Sequence, residues 1–200
     1  MSQYFDESPR VASAEAEVAI DVGGSVLTLR TDRGVFSHGR VDPGTAVLLR
    51  NAPPPPLEGT FLDLGSGSGV LALALARLAP QATVWAVDVN ARARQLTAAN
   101  AAANELPNVA VADPEGVPAD VRFDLIWSNP PIRIGKPALH ALLSTWLGRL
   151  STEGVAVLVV QKHLGADSLQ RWLIDEGWPT TRLASSRGYR MLQVPSRTVR

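Results

Sequence analysis

The chain has 200 residues, 46% of them hydrophobic and 19% charged, a balance that suits one globular domain and excludes a disordered chain. Its 19 basic and 19 acidic residues cancel, so the molecule as a whole exerts no net pull on a polyanion. The absence of cysteine excludes disulfides, cysteine-ligated zinc and thiolate nucleophiles, and His38, His140 and His163 lie too far apart to match a metal-ligand spacing, so no metal is expected.

The opening ten residues, MSQYFDESPR, lack a basic start followed by an apolar stretch, so no secretory leader is expected and a cytoplasmic location is assigned. This first segment is acidic, with Asp6, Glu7, Glu15, Glu17 and Asp21. Residues 18–22 and 25–30 are β-prone runs separated by Gly23-Gly24, which reads as a hairpin. Asp42-Pro43 then starts a helix, with Asp42 as N-cap and Pro43 in the first turn. That helix must stop before Pro53-Pro-Pro-Pro56, a stiff extended linker.

From Thr60 onward, strand and helix signals alternate. Strands are expected around residues 61–62, 82–87, 109–111, 123–127 and 155–160, and two short strands close the chain. Helices are expected at 70–78, 91–103, 137–150 and 169–176. The run 70–76 is apolar but ends at Arg77, far short of the roughly 20 residues that cross a bilayer. After Glu176 no acid follows, while Arg182, Arg187, Arg190, Arg197 and Arg200 do; this asymmetry fits either a basic face for phosphates or a solvated terminal hairpin. Repeated β-α units of this spacing predict an α/β fold: an open, mostly parallel sheet with helices on both faces. A single domain over 1–200 is expected, with a β-hairpin and helix (1–56) packed on a core (57–200).

The strongest local signal is Asp63-Leu-Gly65-Ser-Gly67-Ser-Gly69, after a strand and before a helix. Glycines there let the chain turn sharply and let a ligand approach the main chain. The dinucleotide pattern G-x-G-x-x-G needs its third glycine at position 70, which is Val70. Asp63 suits a ligand carrying a cationic amine and would repel a pyrophosphate. Asp88, in Ala86-Val-Asp88-Val-Asn90, can accept hydrogen bonds from both hydroxyls of a ribose, and Asp113 is placed to meet an adenine amine. The segment from Asp63 to Asp88 resembles the cofactor site of class I S-adenosylmethionine-dependent methyltransferases. That resemblance implies a Rossmann-like fold with a seven-stranded sheet. It also implies an S-adenosyl-L-methionine site formed by Asp63, Gly65, Ser66, Gly67, Gly69, Asp88, Val89 and Asp113, with Asn129 and Thr45.

Trp127-Ser128-Asn129-Pro130-Pro131-Ile132 follows the fourth of the expected sheet strands. It resembles the N-P-P-aromatic motif of methyltransferases acting on amino or amide nitrogens. An exocyclic amine on a base is a poor nucleophile, because its lone pair is delocalised into the ring. Asn129 and the Pro130 carbonyl can each accept one amine hydrogen and aim the nitrogen, while Pro130 and Pro131 stiffen the loop in advance. The transfer is then an in-line displacement governed by proximity. Carbon-5 methylation of a pyrimidine, which generally requires a thiolate, is excluded by the lack of cysteine.

Three further stretches narrow the resemblance: Asp32-Arg-Gly-Val-Phe-Ser37 with Val41-Asp-Pro-Gly-Thr45, Asn129-Pro-Pro-Ile-Arg-Ile-Gly-Lys136, and Arg187-Gly-Tyr-Arg190. Together they resemble ribosomal RNA guanine-N2 methyltransferases of the RsmC type over roughly residues 18–194. The resemblance implies RNA as partner, with Phe36 stacking on the base and Arg133 and Lys136 meeting phosphate or base edges. Ile132 stands where the motif has an aromatic, and larger members of that family carry an additional N-terminal domain. Two other readings stay open: methylation of a protein glutamine or small-molecule amine, and a non-catalytic cofactor-binding module in ribosome assembly.

Overall fold

The computed structural model of the protein describes residue 12 and residues 14–197. Asp6, Glu7 and Arg200, part of the charge asymmetry noted above, lie outside the described residues. Strands β1 (Ala16–Val22) and β2 (Ser25–Thr31) form an antiparallel hairpin. Gly23 and Gly24 both take positive φ at its turn, 60° and 81°, which side chains with a Cβ rarely adopt. Ile20, Val22, Leu27 and Leu29 alternate inward and are buried. Helix α1 (Pro43–Asn51) starts where the Asp42 carboxylate accepts the Gly44 and Thr45 amides at 2.7 and 3.1 Å.

The remaining chain runs through β3 (Glu58–Leu64), α2 (Val70–Leu78), β4 (Gln81–Val87), α3 (Ala91–Ala103), β5 (Val109–Ala112) and β6 (Phe123–Ser128). It ends with α4 (Lys136–Leu147), β7 (Leu150–Gln161), α5 (Ala166–Asp175), β8 (Thr181–Ser186) and β9 (Tyr189–Pro195). The seven strands order as β5-β4-β3-β6-β7-β9-β8, parallel from β5 to β7 and antiparallel where β9 meets β7 and β8. This is the expected α/β, Rossmann-like class I methyltransferase fold.

Alternate side chains of each central strand feed two separate cores, as the period of two requires. Phe61, Val84, Leu125, Trp127 and Val157 pack with α1, α2 and the hairpin, while Leu62, Ile126, Leu158, Val160 and Leu192 pack with α4 and α5. The hairpin is also tied down by polar contacts. Asn100 on α3 accepts the Arg30 amide at 2.8 Å and donates to the Arg30 and Ser68 carbonyls at 2.8 and 2.9 Å. One buried amide thus joins β2 to the glycine loop.

Two helix boundaries shift by three residues from the sequence expectation. Helix α4 ends at Leu147, not at residue 150; the Phe123 amide donates to the Arg149 carbonyl, and Leu150 already pairs with Phe123 as the start of β7. Leu150 is buried in the same cluster as Leu143 and Leu147, so it obeyed the helical stripe while belonging to a strand. Helix α5 begins at Ala166, three residues early, after Gly165 at φ 101°.

Candidate functional site

Strand order creates the site. From β3 the chain crosses through α2 to β4 on one side, while β6 lies on the other, so the crevice beyond the carboxyl ends of β3 and β6 has no connection covering it. Both loops with chemical motifs leave from these two ends. The Ser128 hydroxyl donates to the Leu64 carbonyl at 2.7 Å, fixing one exit against the other. A cleft of about 660 Å³ opens there, within the usual size of small-molecule sites. A smaller recess beside it shares Phe36, Asp42, Gly65 and Asn129 with the cleft and adds Thr45, Asp63, Ser66 and Ser68.

The glycine loop needs its glycines. Gly65, Gly67 and Gly69 all have positive φ, at 78°, 56° and 86°. A Cβ on Gly69 would also stand 2.8 Å from Thr97 Cγ2, because the Thr97 side chain of α3 packs against the glycine loop, donating to the Gly67 carbonyl at 3.0 Å. Asp63, at the end of β3, is 1% exposed. Its Oδ2 accepts the Ala72 amide at 2.9 Å, near the start of α2, and its Oδ1 has no partner among the described residues. Burial, with a smaller contribution from the Asp88 charge, pushes the Asp63 carboxyl up from 3.8 to about 7, against the pull of the Ala72 amide. A buried carboxylate with one orphaned oxygen beside a recess is suited to a cationic amine, which would supply both the missing hydrogen bond and the missing charge.

Asp88 ends β4 and lines the main cleft. Its two oxygens accept the Gly67 and Asn90 amides at 2.8 and 2.9 Å. Burial raises its pKa, opposed by those two amides and by Arg94. Val89 is 43% exposed on the cleft wall, an apolar surface that a flat ring can cover. Asp113 differs from its expected place: it is exposed, and its carboxylate accepts the Gly116 amide at 2.7 Å. That bond closes its own turn, and Pro114 is the residue of this loop on the cleft wall. Ser66 lines the recess with a buried hydroxyl that has no partner among the described residues.

The Asn129-Pro130-Pro131 loop leaves β6 at the opposite wall. Pro131 has φ −75° and ψ 71°, an inverse γ-turn, and the Ile132 amide donates to the Pro130 carbonyl at 2.8 Å. A carbonyl oxygen has two lone pairs, so that of Pro130 keeps one for another donor. The Asn129 Nδ2 donates to Asp42 Oδ2 at 2.7 Å and to Thr45 Oγ1 at 3.2 Å. Both amide hydrogens are committed, which leaves the side-chain carbonyl as the group that Asn129 offers to a ligand.

Phe36, Ile132 and Arg133 line the cleft with Leu142, Trp146 and Tyr189. Lys136, the first residue of α4, is exposed and is not part of that wall. The basic C-terminal stretch is largely committed to its own fold. Arg182 and Arg190 reach Asp167 at 2.8 and 3.5 Å, and Arg197 lies 4.0 Å above the Trp178 ring. Arg187 remains exposed at the hairpin tip between β8 and β9.

Among the cleft residues that sequence reasoning missed are Asp42, Arg40 and Gln161. Asp42 was read only as a helix cap, a role it does fill. Arg40 lines both cleft and recess, and Gln161 ends β7 opposite Tyr189. For Arg40 and Gln161 no local signal existed, since an isolated polar residue at a loop or strand end is ordinary. Among the described residues, no cluster of His, Asp and Glu could hold a metal ion, and no helix is long and apolar enough to cross a membrane.

Comparison with known proteins agrees with this fold. A model of the methyltransferase small domain family matches residues 26–193. The Bacillus subtilis protein YbxB, described as uncharacterized, is 34% identical over 168 residues, covering 82% of this chain and 84% of its own length. The ribosomal RNA small subunit methyltransferase C of Vibrio cholerae is 32% identical over 150 residues, 73% of this chain and 44% of its own. This chain therefore spans less than half the length of that relative. The Thermus thermophilus 16S rRNA N2 G1207 methyltransferase RsmC, solved with AdoMet and guanosine, superposes with a TM-score of 0.78 at 27% identity, covering 94% of this chain and 52% of its own. The ribosomal protein L11 methylase of Lactobacillus delbrueckii, at 22% identity and a TM-score of 0.60, shares the fold.

When bound, S-adenosylmethionine supplies an electrophilic methyl on a sulfonium. The orphaned Asp63 oxygen fits its cationic amine, and Asp88 and Val89 fit a ribose and a flat ring. With its sheet order, its glycine loop and its matches over residues 26–193, the chain belongs to the methyltransferase small domain family, enzymes whose methyl donor is S-adenosylmethionine.

Proposed function

We propose that this protein methylates the exocyclic N2 amine of a guanine in ribosomal RNA, acting in the cytoplasm as one catalytic unit in which the described part of segment 1–56 packs on the core. The observation that carries the reading is the fixed Asn129 amide, whose two hydrogens are held by Asp42 and Thr45 so that its carbonyl oxygen is left to accept. In this reading the Asn129 Oδ1 and the Pro130 carbonyl each take one amine hydrogen. With S-adenosylmethionine bound, its sulfonium would supply the methyl to the nitrogen, whose lone pair these two acceptors draw out of the ring, and the methylated ammonium would lose its proton to water. Asp63, Gly65, Ser66, Gly67, Gly69, Asp88 and Val89 hold the donor, with Thr45 at the methionine end. Phe36, Ile132 and Arg133 form the acceptor side, where an aromatic ring can stack on a base. The similarity to small-subunit RNA methyltransferases, and to a relative solved with guanosine, supports the choice of acceptor.

The test is incubation with labelled S-adenosylmethionine and separate pools of ribosomal RNA, transfer RNA and ribosomal protein from cells lacking the gene. Label in ribosomal RNA that digests to N2-methylguanosine is expected. Label confined to protein replaces the RNA reading with amide methylation. Measured cofactor binding without label in any pool favours a binding module.

A further inference from the structure

We infer that Asp42 is a positioning residue that makes the catalytic loop specific for an N–H donor. The inference rests on the role proposed above for Asn129. An asparagine side chain can present either its carbonyl or its NH2 by rotating half a turn, and the two ends are nearly equal in size. A site meant to grip an amine needs the carbonyl outward every time. Asp42 removes the ambiguity. As a carboxylate it can only accept, and its Oδ2 lies 2.7 Å from the Asn129 nitrogen, so the flipped amide would set two acceptor oxygens against each other. Thr45 Oγ1, at 3.2 Å, takes the second hydrogen and completes the lock.

The same Asp42 oxygen accepts the Gly44 and Thr45 amides, so it is itself held by the first turn of α1. The Asn129 orientation is therefore set by a helix start 87 residues away in sequence. This arrangement selects by chemistry. A group bearing N–H hydrogens meets two acceptors, Asn129 Oδ1 and the Pro130 carbonyl. A carbonyl oxygen or an unprotonated ring nitrogen meets the same two acceptors and is refused. The charge adds to the effect: a hydrogen bond from the amide to a carboxylate polarises the amide and strengthens its oxygen as an acceptor. That matters most as the amine nitrogen becomes positive on the way to the ammonium.

The experiment separates this role from helix capping. Serine caps helices about as well as aspartate but is too short to reach Asn129 across the same gap, so Asp42→Ser keeps the cap and loses the lock. Asp42→Asn keeps an oxygen acceptor. With small-subunit ribosomal RNA from cells lacking the gene as acceptor, Asp42→Ser is expected to lower kcat at least about 10-fold, by analogy with removing a positioned polar group. KM for RNA, calorimetric affinity for S-adenosylmethionine and Tm stay near wild type, and Asp42→Asn recovers most of the turnover. In an Asn129→Ala background, Asp42→Ser adds no further loss. Wild-type kcat in Asp42→Ser overturns the inference, as does a loss carried by Tm and cofactor affinity alone. A slow Asn129→Ala beside a normal Asp42→Ser sinks only the role of Asp42. A normal Asn129→Ala sinks the reading on which it rests.

Discussion

The carboxylate of Asp88 and the main-chain amide of Gly67 stand 2.8 Å apart, so the acid that ends β4 also holds the glycine loop that follows β3. The other Asp88 oxygen secures the Asn90 amide, and the Asn90 side chain caps α3 through the Arg92 and Ala93 amides at 2.9 and 3.2 Å. Two loops that line the cleft are thus shaped by one side chain. Replacing it disturbs both.

Asp88→Ala is accordingly expected to weaken binding of S-adenosylmethionine by about 1.5–3 kcal/mol, the range for hydrogen bonds to a charged group. Isothermal titration calorimetry measures this directly. Unchanged affinity would remove Asp88 from the cofactor site.

Cofactor binding is expected to depend on pH through Asp63. Its carboxyl is raised from 3.8 to about 7 by burial, so near neutral pH a substantial fraction of the ligand-free protein carries a proton there. A cationic amine stabilises the charged carboxylate, so binding expels that proton. Affinity therefore rises as pH increases through about 7, and calorimetry in buffers of different ionisation enthalpy should show about half a proton released at pH 7. The stability of the ligand-free protein moves the other way. The folded state binds this proton more tightly than the unfolded state does, so its contribution is fully present below about 4 and is lost as pH rises to about 7. Asp63→Asn should flatten both dependences. A titration of wild type and variant with the same slope contradicts the assignment.

Asn129→Ala should bind cofactor normally and lose about 100-fold or more in turnover, the cost of deleting one positioned donor or acceptor at a reacting group. Single-turnover transfer to ribosomal RNA, alongside a binding isotherm, separates the two effects. Equal turnover is incompatible with the proposed amine grip.

Gly69→Ala is expected to destabilise the fold by about 1–3 kcal/mol from the left-handed backbone alone. The added methyl meets Thr97 Cγ2 at 2.8 Å and Leu73 Cδ1 at 3.0 Å, which increases the cost. Gly65→Ala has the same backbone strain, at φ 78°, but nothing within 4 Å of the new Cβ. Urea unfolding of the pair should place Gly69→Ala below Gly65→Ala, and the reverse order would argue against close packing of Thr97 and Leu73 on Gly69.

How much of this was legible in advance depends on distance along the chain. The alternation of elements, the need for glycine at positions 65, 67 and 69, the cap Asp42, and the acid at the end of each of β3 and β4 are local properties. Each follows from a handful of consecutive residues, because backbone conformation, capping and strand burial are decided over a few bonds. The resemblance carried by Asp63 to Asp88 and by Asn129-Pro130-Pro131 is of the same kind.

Tertiary structure decided what no window of sequence contains. It set Asp42 against Asn129, brought Asn100 between Arg30 and Ser68, and left one oxygen of Asp63 buried without a partner. It also turned Asp113 into its own loop and paired Arg182 and Arg190 with Asp167. The reason is physical. A hydrogen bond's partner and a carboxyl's pKa depend on which groups packing brings within about 3 Å and on how much water packing removes. Sequence specifies the residues that can do this chemistry; only the folded sheet, with β3 beside β6, specifies which of them meet.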